Sequence, residues 1–124
     1  MTLLAAVKGE YLSSTDIAGS LNINPVLVRK ELSELKSHNF IESKEGKHGG
    51  VRLLKPAKDI KLSDIFNLVK GNSHTLGLAK NDPNPDCPIG RKINDNLNKL
   101  YDKIDSRIEQ SLKETTLEEF KNLF

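Results

Sequence analysis

Cysteine is almost missing from this chain: Cys87 is the only one in 124 residues. A single thiol excludes an internal disulfide framework, and cannot by itself supply the three or four ligands of a zinc or iron–sulfur site. Tryptophan is absent and aromatics make up only 5%, so the core must be aliphatic and modest, enough for one domain or a small domain with an appendage. No apolar run approaches the ~20 residues that span a bilayer. The N-terminus has no basic segment followed by an apolar signal core, so nothing points to export and the cytoplasm is the expected compartment. Also missing are a His–carboxylate–nucleophile set, metal-ligand spacing around His38 or His74, and a GxxxxGK phosphate loop, so no enzyme is expected. Both histidines read as surface residues.

Charge of either sign is in little surplus. The net charge of +2 cannot argue for a nucleic-acid partner by itself, and its distribution matters more. Residues 1–60 hold nine Lys/Arg against seven Asp/Glu, whereas 61–124 hold ten of each. The stretch from Asn24 to Lys55 carries seven basic and four acidic residues, together with His38 and His48.

That stretch reads as a helix followed by a two-stranded ribbon. Proline at a first helical position forfeits no intrahelical hydrogen bond, and Asn24 before it can cap the free amides, so a helix is predicted from Pro25 to about His38. Val28, Leu32 and Leu35 share an inward face; Val26, Arg29, Lys30, Ser33 and Ser37 share an outward one. Upstream, Ser13 and Asp16 form a cap-like pair at the start of a short helix with Ile17, Ala18 and Leu21 facing inward. The segment Leu21-Asn22-Ile23-Asn24 breaks it, because asparagine tolerates a left-handed backbone, and Ile23 is expected to plug the angle. Two short helices joined by a tight turn make a helix-turn-helix. Phe40–Ser43 and Val51–Leu54 read as strands around the tip Gly46-Lys47-His48-Gly49-Gly50.

Residues 1–10 look like the end of a helix stopped by Gly9, with Leu3, Leu4 and Val7 on one face. Leu62, Ile65, Phe66, Leu68 and Val69 predict another short helix, closed by Gly71. Periodicity then disappears over 71–88, a stretch with three prolines and three asparagines that reads as a long loop. Ile89, Ile93, Leu97, Leu100, Ile104, Ile108 and Leu112 follow as a narrow apolar stripe on a highly charged helix. A small winged domain is not expected to cover a helix about 36 Å long, so the stripe is read as a dimerisation surface, with core packing in one chain as the alternative. Thr116-Leu117-Glu118-Glu119 is a capping box that opens a last short helix. The fold class is therefore mainly α with a small two-stranded antiparallel wing. Residues 1–70 are expected to form a winged helix-turn-helix domain, 71–88 a loop and possible sensor region, and 89–124 a dimerisation helix with a short terminal helix.

In this order and spacing, SSTDIAGSLNINPVLVRKELSELK, EGKHGG, IKLSDIFNLVKG and TTLEEF resemble the Rrf-two family of winged helix-turn-helix bacterial transcription regulators over nearly the whole chain. The resemblance implies a homodimer on a pseudo-palindromic double-stranded DNA operator, with the helix from 25 in the major groove and the wing on the neighbouring backbone or minor groove. On that resemblance Asn24, Val26, Leu27, Arg29 and Lys30 match base-reading and helix-entry positions, and Lys44, Lys47 and His48 match the wing. The sequence departs from the family pattern in three places. Iron–sulfur members carry three cysteines where this chain has only Cys87, so no cofactor is expected. Glu45 stands where many members have a basic residue before the first wing glycine. The first helix is usually longer than the residues before Gly9.

The residues themselves support the same chemistry. Arg29 and Lys30 can donate to guanine O6 and N7 or to phosphates, the alternative being a solvated helix face. Val26 can touch a thymine methyl or serve as a half-exposed staple. Lys44, Lys47, His48 and Arg52 are phosphate or minor-groove candidates, against an ordinary charged hairpin. Cys87 lies near a helix start with Arg91 one turn on, a redox-reactive thiol candidate opposed by Asp86. The reading is a sequence-specific, homodimeric transcriptional repressor. Any small-molecule or redox effector is expected near 71–88. The alternative is a winged helix that no longer binds DNA and holds a protein or small ligand.

Overall fold

A computed structural model describes all residues from Met1 to Phe124. Its elements in chain order are α1 (Thr2–Ala6), α2 (Ser14–Leu21), α3 (Pro25–Ser37), β1 (Ile41–Lys44), β2 (Gly50–Leu53), a 3-10 turn (Ala57–Asp59), α4 (Leu62–Lys70), α5 (Gly90–Lys113) and α6 (Leu117–Lys121). The chain is mainly helical with one two-stranded antiparallel sheet, pairing Ile41 with Leu53 and Lys44 with Gly50. No helix is long and apolar enough to cross a membrane.

Local chemistry explains the starts of α2, α3 and α6 and the end of α2. The Ser13 hydroxyl accepts from the Asp16 amide at 3.0 Å while the Asp16 carboxylate accepts from the Ser13 amide at 3.2 Å, closing a capping box. Asn22 ends α2 in the left-handed conformation (φ 52°). Asn24 then caps α3, its side-chain oxygen accepting from the Val26 amide at 2.8 Å. The Thr116 hydroxyl and Glu119 repeat the capping box at α6.

Two compact units make up the chain, one of residues 1–61 with 115–124, the other of 62–114. The division expected at residues 70 and 88 differs from these units. The helix at 62–70 groups with α5, and the terminal helix groups with the winged unit.

In the winged unit, Leu4, Ile17, Ala18, Val28, Ile41 and Val51 form the buried core, with Leu3, Leu12, Leu32, Leu35, Phe40 and Leu53 packed around it. Leu21 departs from the expected inward face: it is 56% exposed, because α2 stops there and the chain turns away at Asn22. Ile23 is likewise exposed in the turn instead of plugging it. The ribbon is held by a third segment, for Leu12 and Val51 exchange hydrogen bonds of 3.0 and 2.8 Å. Gly50 permits this approach: its φ is 142°, and a Cβ there would stand 2.3 Å from the Leu12 carbonyl oxygen. The chain's end returns to the same unit, with the Leu117 amide donating to the Ile60 carbonyl at 2.8 Å and both side chains 1% exposed.

The second unit pairs α4 with α5. The Asn67 amide donates to Glu109 at 3.2 Å, and α5 runs for 24 residues. Asp105 is the one buried residue of α5. Residues 71–88 contain no helix or strand, as the sequence predicts.

Candidate nucleic-acid interface

Helix α3 is anchored on one side and open on the other. Val28 is buried and Leu32 and Leu35 pack against the core, while Val26, Leu27, Arg29, Lys30, Ser33 and Ser37 are exposed. Neither Arg29 nor Lys30 takes part in an ion pair. There is no acidic residue in the first helical turn, where four amides point out of the helix and favour negative charge. The first turns of α3 thus hold free cations beside a capped helix N-terminus, an arrangement suited to phosphate oxygens and acceptor-rich base edges.

The wing follows directly. Its strands place Lys44 at the end of β1 and leave Glu45, Lys47 and His48 exposed at the tip. Gly49 makes the turn possible, since a Cβ there would lie 2.1 Å from the Lys44 carbonyl oxygen. Lys44 sits 5.8 Å from the Tyr11 ring centroid, leaving its ammonium exposed. Arg52 is placed differently. Its guanidinium is paired with Glu42 and lies 4.7 Å from the Tyr11 ring centroid, and Tyr11 donates to the same carboxylate at 3.4 Å. The hydrogen bond that Arg52 donates to the Glu42 carboxylate raises the Arg52 pKa further above its already high ordinary value. Tyr11 has no place among the candidates read from sequence, and no local pattern marks it, because its partners Glu42 and Arg52 lie about thirty and forty residues away.

Outside the winged unit, Cys87 is half-buried, and the amides of Gly90 and Ile89 lower its thiol pKa below the ordinary cysteine value. The stripe residues of α5 keep much of their surface. Ile89 is 71% exposed and Leu100 50%, and Ile93, Leu97, Ile104, Ile108 and Leu112 are half-buried. His74 corrects the sequence reading. It is no free surface residue: its Nδ1 lies 2.9 Å from Asp105 and its ring meets Tyr101 edge-on, while the Thr75 amide donates to the other Asp105 oxygen at 3.2 Å. Hydrogen bonds from Thr75 and His74 hold the Asp105 carboxyl below the usual carboxylate range. This cluster ties the start of the 71–88 loop to the middle of α5.

A capped helix with an open cationic face, followed at once by an antiparallel wing, defines a winged helix-turn-helix transcriptional regulator. The chain belongs to the Rrf2 family, described as iron-dependent transcriptional regulators, whose pattern it matches over residues 1–122. It is accordingly a DNA-binding regulator and not an enzyme, and a winged helix that has abandoned DNA is not favoured.

Among its relatives is YwnA of Bacillus subtilis (strain 168), provisionally an HTH-type transcriptional regulator, 34% identical over 91% of this chain and 84% of that protein. A provisionally assigned transcriptional regulator from Lactobacillus plantarum superposes with a TM-score of 0.72 at 28% identity, covering 93% of this chain and 78% of the other. CymR, the global cysteine regulator of B. subtilis, shares the fold with a TM-score of 0.68 at 20% identity, over 99% of this chain and 90% of its own.

The iron in the family description finds no donor set here. Cys87 is the one thiolate available, and no group of three or more His, Cys, Asp or Glu side chains converges in a geometry that could hold a metal ion.

Proposed function

We propose that this protein is a cytoplasmic homodimeric repressor that reads a pseudo-palindromic operator through α3. The observation that carries the reading is the division of α3 itself, with Val28 fixed in the core and Arg29 and Lys30 free of ion pairs on the opposite side. A reading helix must be rigid in its mount and unoccupied on its outer face, and α3 meets both conditions. In this reading Arg29 and Lys30 reach base edges or phosphates from the major groove, Asn24, Val26 and Leu27 enter with them, and Lys44, Lys47 and His48 lie along the neighbouring backbone. Arg52 acts within the wing, holding β2 against Tyr11 and β1. The half-exposed stripe of α5 joins two copies, residues 71–88 form the region an effector would address, and oxidation of Cys87 is one candidate signal.

Footprinting on the DNA upstream of the protein's own gene, or on duplexes selected from random sequence, tests the reading. The expected result is a protected site with two inverted half-sites about one helical turn, roughly 34 Å, apart. Equal affinity for selected and random duplexes would overturn it.

A further inference from the structure

Two large aliphatic side chains stand in solvent at the leading end of α3, Val26 at 60% and Leu27 at 56% exposure. They occupy the second and third helical positions after the Asn24 cap. A hydrophobic staple does not account for them, since it joins the residue before the cap to the fourth helical residue. Those positions belong to Ile23 and to the buried Val28. Helix dipole chemistry favours acids or small polar groups in a first turn, and here the turn holds none. Val26 precedes Arg29 by three residues and Lys30 by four and shares its side of the helix with both cations, while Leu27, three residues before Lys30 and four before Glu31, flanks that side next to Lys30.

A surface that combines guanidinium, ammonium and aliphatic groups matches one feature of the major groove closely. Among the groups that distinguish the base pairs there, most are hydrogen-bond donors or acceptors, and the C5-methyl of thymine is the one apolar group that projects into the groove. Resting on the DNA-reading function above, we infer that Val26 and Leu27 read thymine methyl groups, so that each half-site carries one or two thymines beside the positions addressed by Arg29 and Lys30. These thymines are chosen by shape and apolar contact, not by hydrogen bonding.

The test uses duplexes selected from random DNA by the full-length protein, in which single thymines are replaced by deoxyuridine. The exchange removes one methyl and leaves every hydrogen-bonding group of the base pair in place. Wild-type affinity is expected to fall roughly fourfold for each contacted methyl removed, at one or two positions per half-site, and to stay constant elsewhere. Val26→Ala and Leu27→Ala should weaken binding to the thymine duplex and bring the thymine-to-uracil ratio close to one. Both residues are exposed, so unchanged thermal melting verifies that the variants fold. Wild-type protein that binds its selected duplex specifically but does not distinguish uracil from thymine overturns the inference and leaves the DNA-reading function standing. So do variants that retain the full wild-type ratio. If no sequence is enriched over random DNA, the DNA-reading function falls, and the inference with it.

Discussion

Arg29 and Arg52 carry the same charge into different surroundings, and the difference decides what each can do. Arg29 is exposed and unpaired on α3, whereas Arg52 is bound to Glu42 and stacked near Tyr11. Arg29→Ala is expected to lower specific affinity by about 1–3 kcal/mol and to relax the base preference at one position of each half-site, as read by competition binding. Arg52→Gln should leave that preference and the salt slope of binding unchanged, because its charge is already answered inside the ribbon. A unit decrease in the slope would place Arg52 on a phosphate instead.

Asp105 supplies a pH signature at the same scale. Its carboxyl is held below the ordinary range by Thr75 and His74, so the folded state favours the ionised form. The stabilisation is fully present above the unfolded carboxylate pKa of about 4 and is lost as pH falls through the lower folded value. Denaturant melts of wild type and Asp105→Asn should therefore differ most near neutrality and converge in acid. A gap that does not change with pH would show that the carboxylate charge is not what matters. For Cys87, the amide environment of Gly90 and Ile89 implies alkylation at neutral pH faster than that of an unperturbed thiol.

Among the elements, those governed by neighbours in sequence were the legible ones. Ser13 with Asp16, Asn24 with Pro25, and Thr116 with Glu119 announce helix starts because each cap is a hydrogen bond across two or three residues. The outward face of α3 was legible for the same reason, as a matter of helical spacing. What joins distant segments left no periodic trace. Nothing local in Leu12, Tyr11 or His74 tells that they meet Val51, Arg52 and Asp105. Leu117 shows the limit well, since its capping box is visible but its burial against Ile60 is not. Leu117→Ala is expected to destabilise the winged unit by about 2–5 kcal/mol, the range for emptying a buried leucine site. A thermal melt indistinguishable from wild type would mean that the terminal helix does not contribute to the unit's stability.

At the scale of the whole molecule, the proposed regulator presents two α3 faces, one from each of two copies, to one duplex. The half-exposed stripe of α5 is the proposed seam, and Leu97→Glu together with Leu100→Glu should shift sedimentation at micromolar concentration from dimer to monomer. A wild-type monomer at that concentration would remove the seam. The composition fits a partner met through local charge: the chain is nearly neutral, and its cations matter by position. The most direct measurement is the affinity of wild-type protein and Arg29→Ala for a selected operator and for random DNA, followed from about 50 to 200 mM salt. Log affinity for both duplexes is expected to fall linearly with log salt, with a large operator preference in wild type that Arg29→Ala reduces. Salt-independent binding, or a full operator preference retained by Arg29→Ala, would contradict the role given to α3.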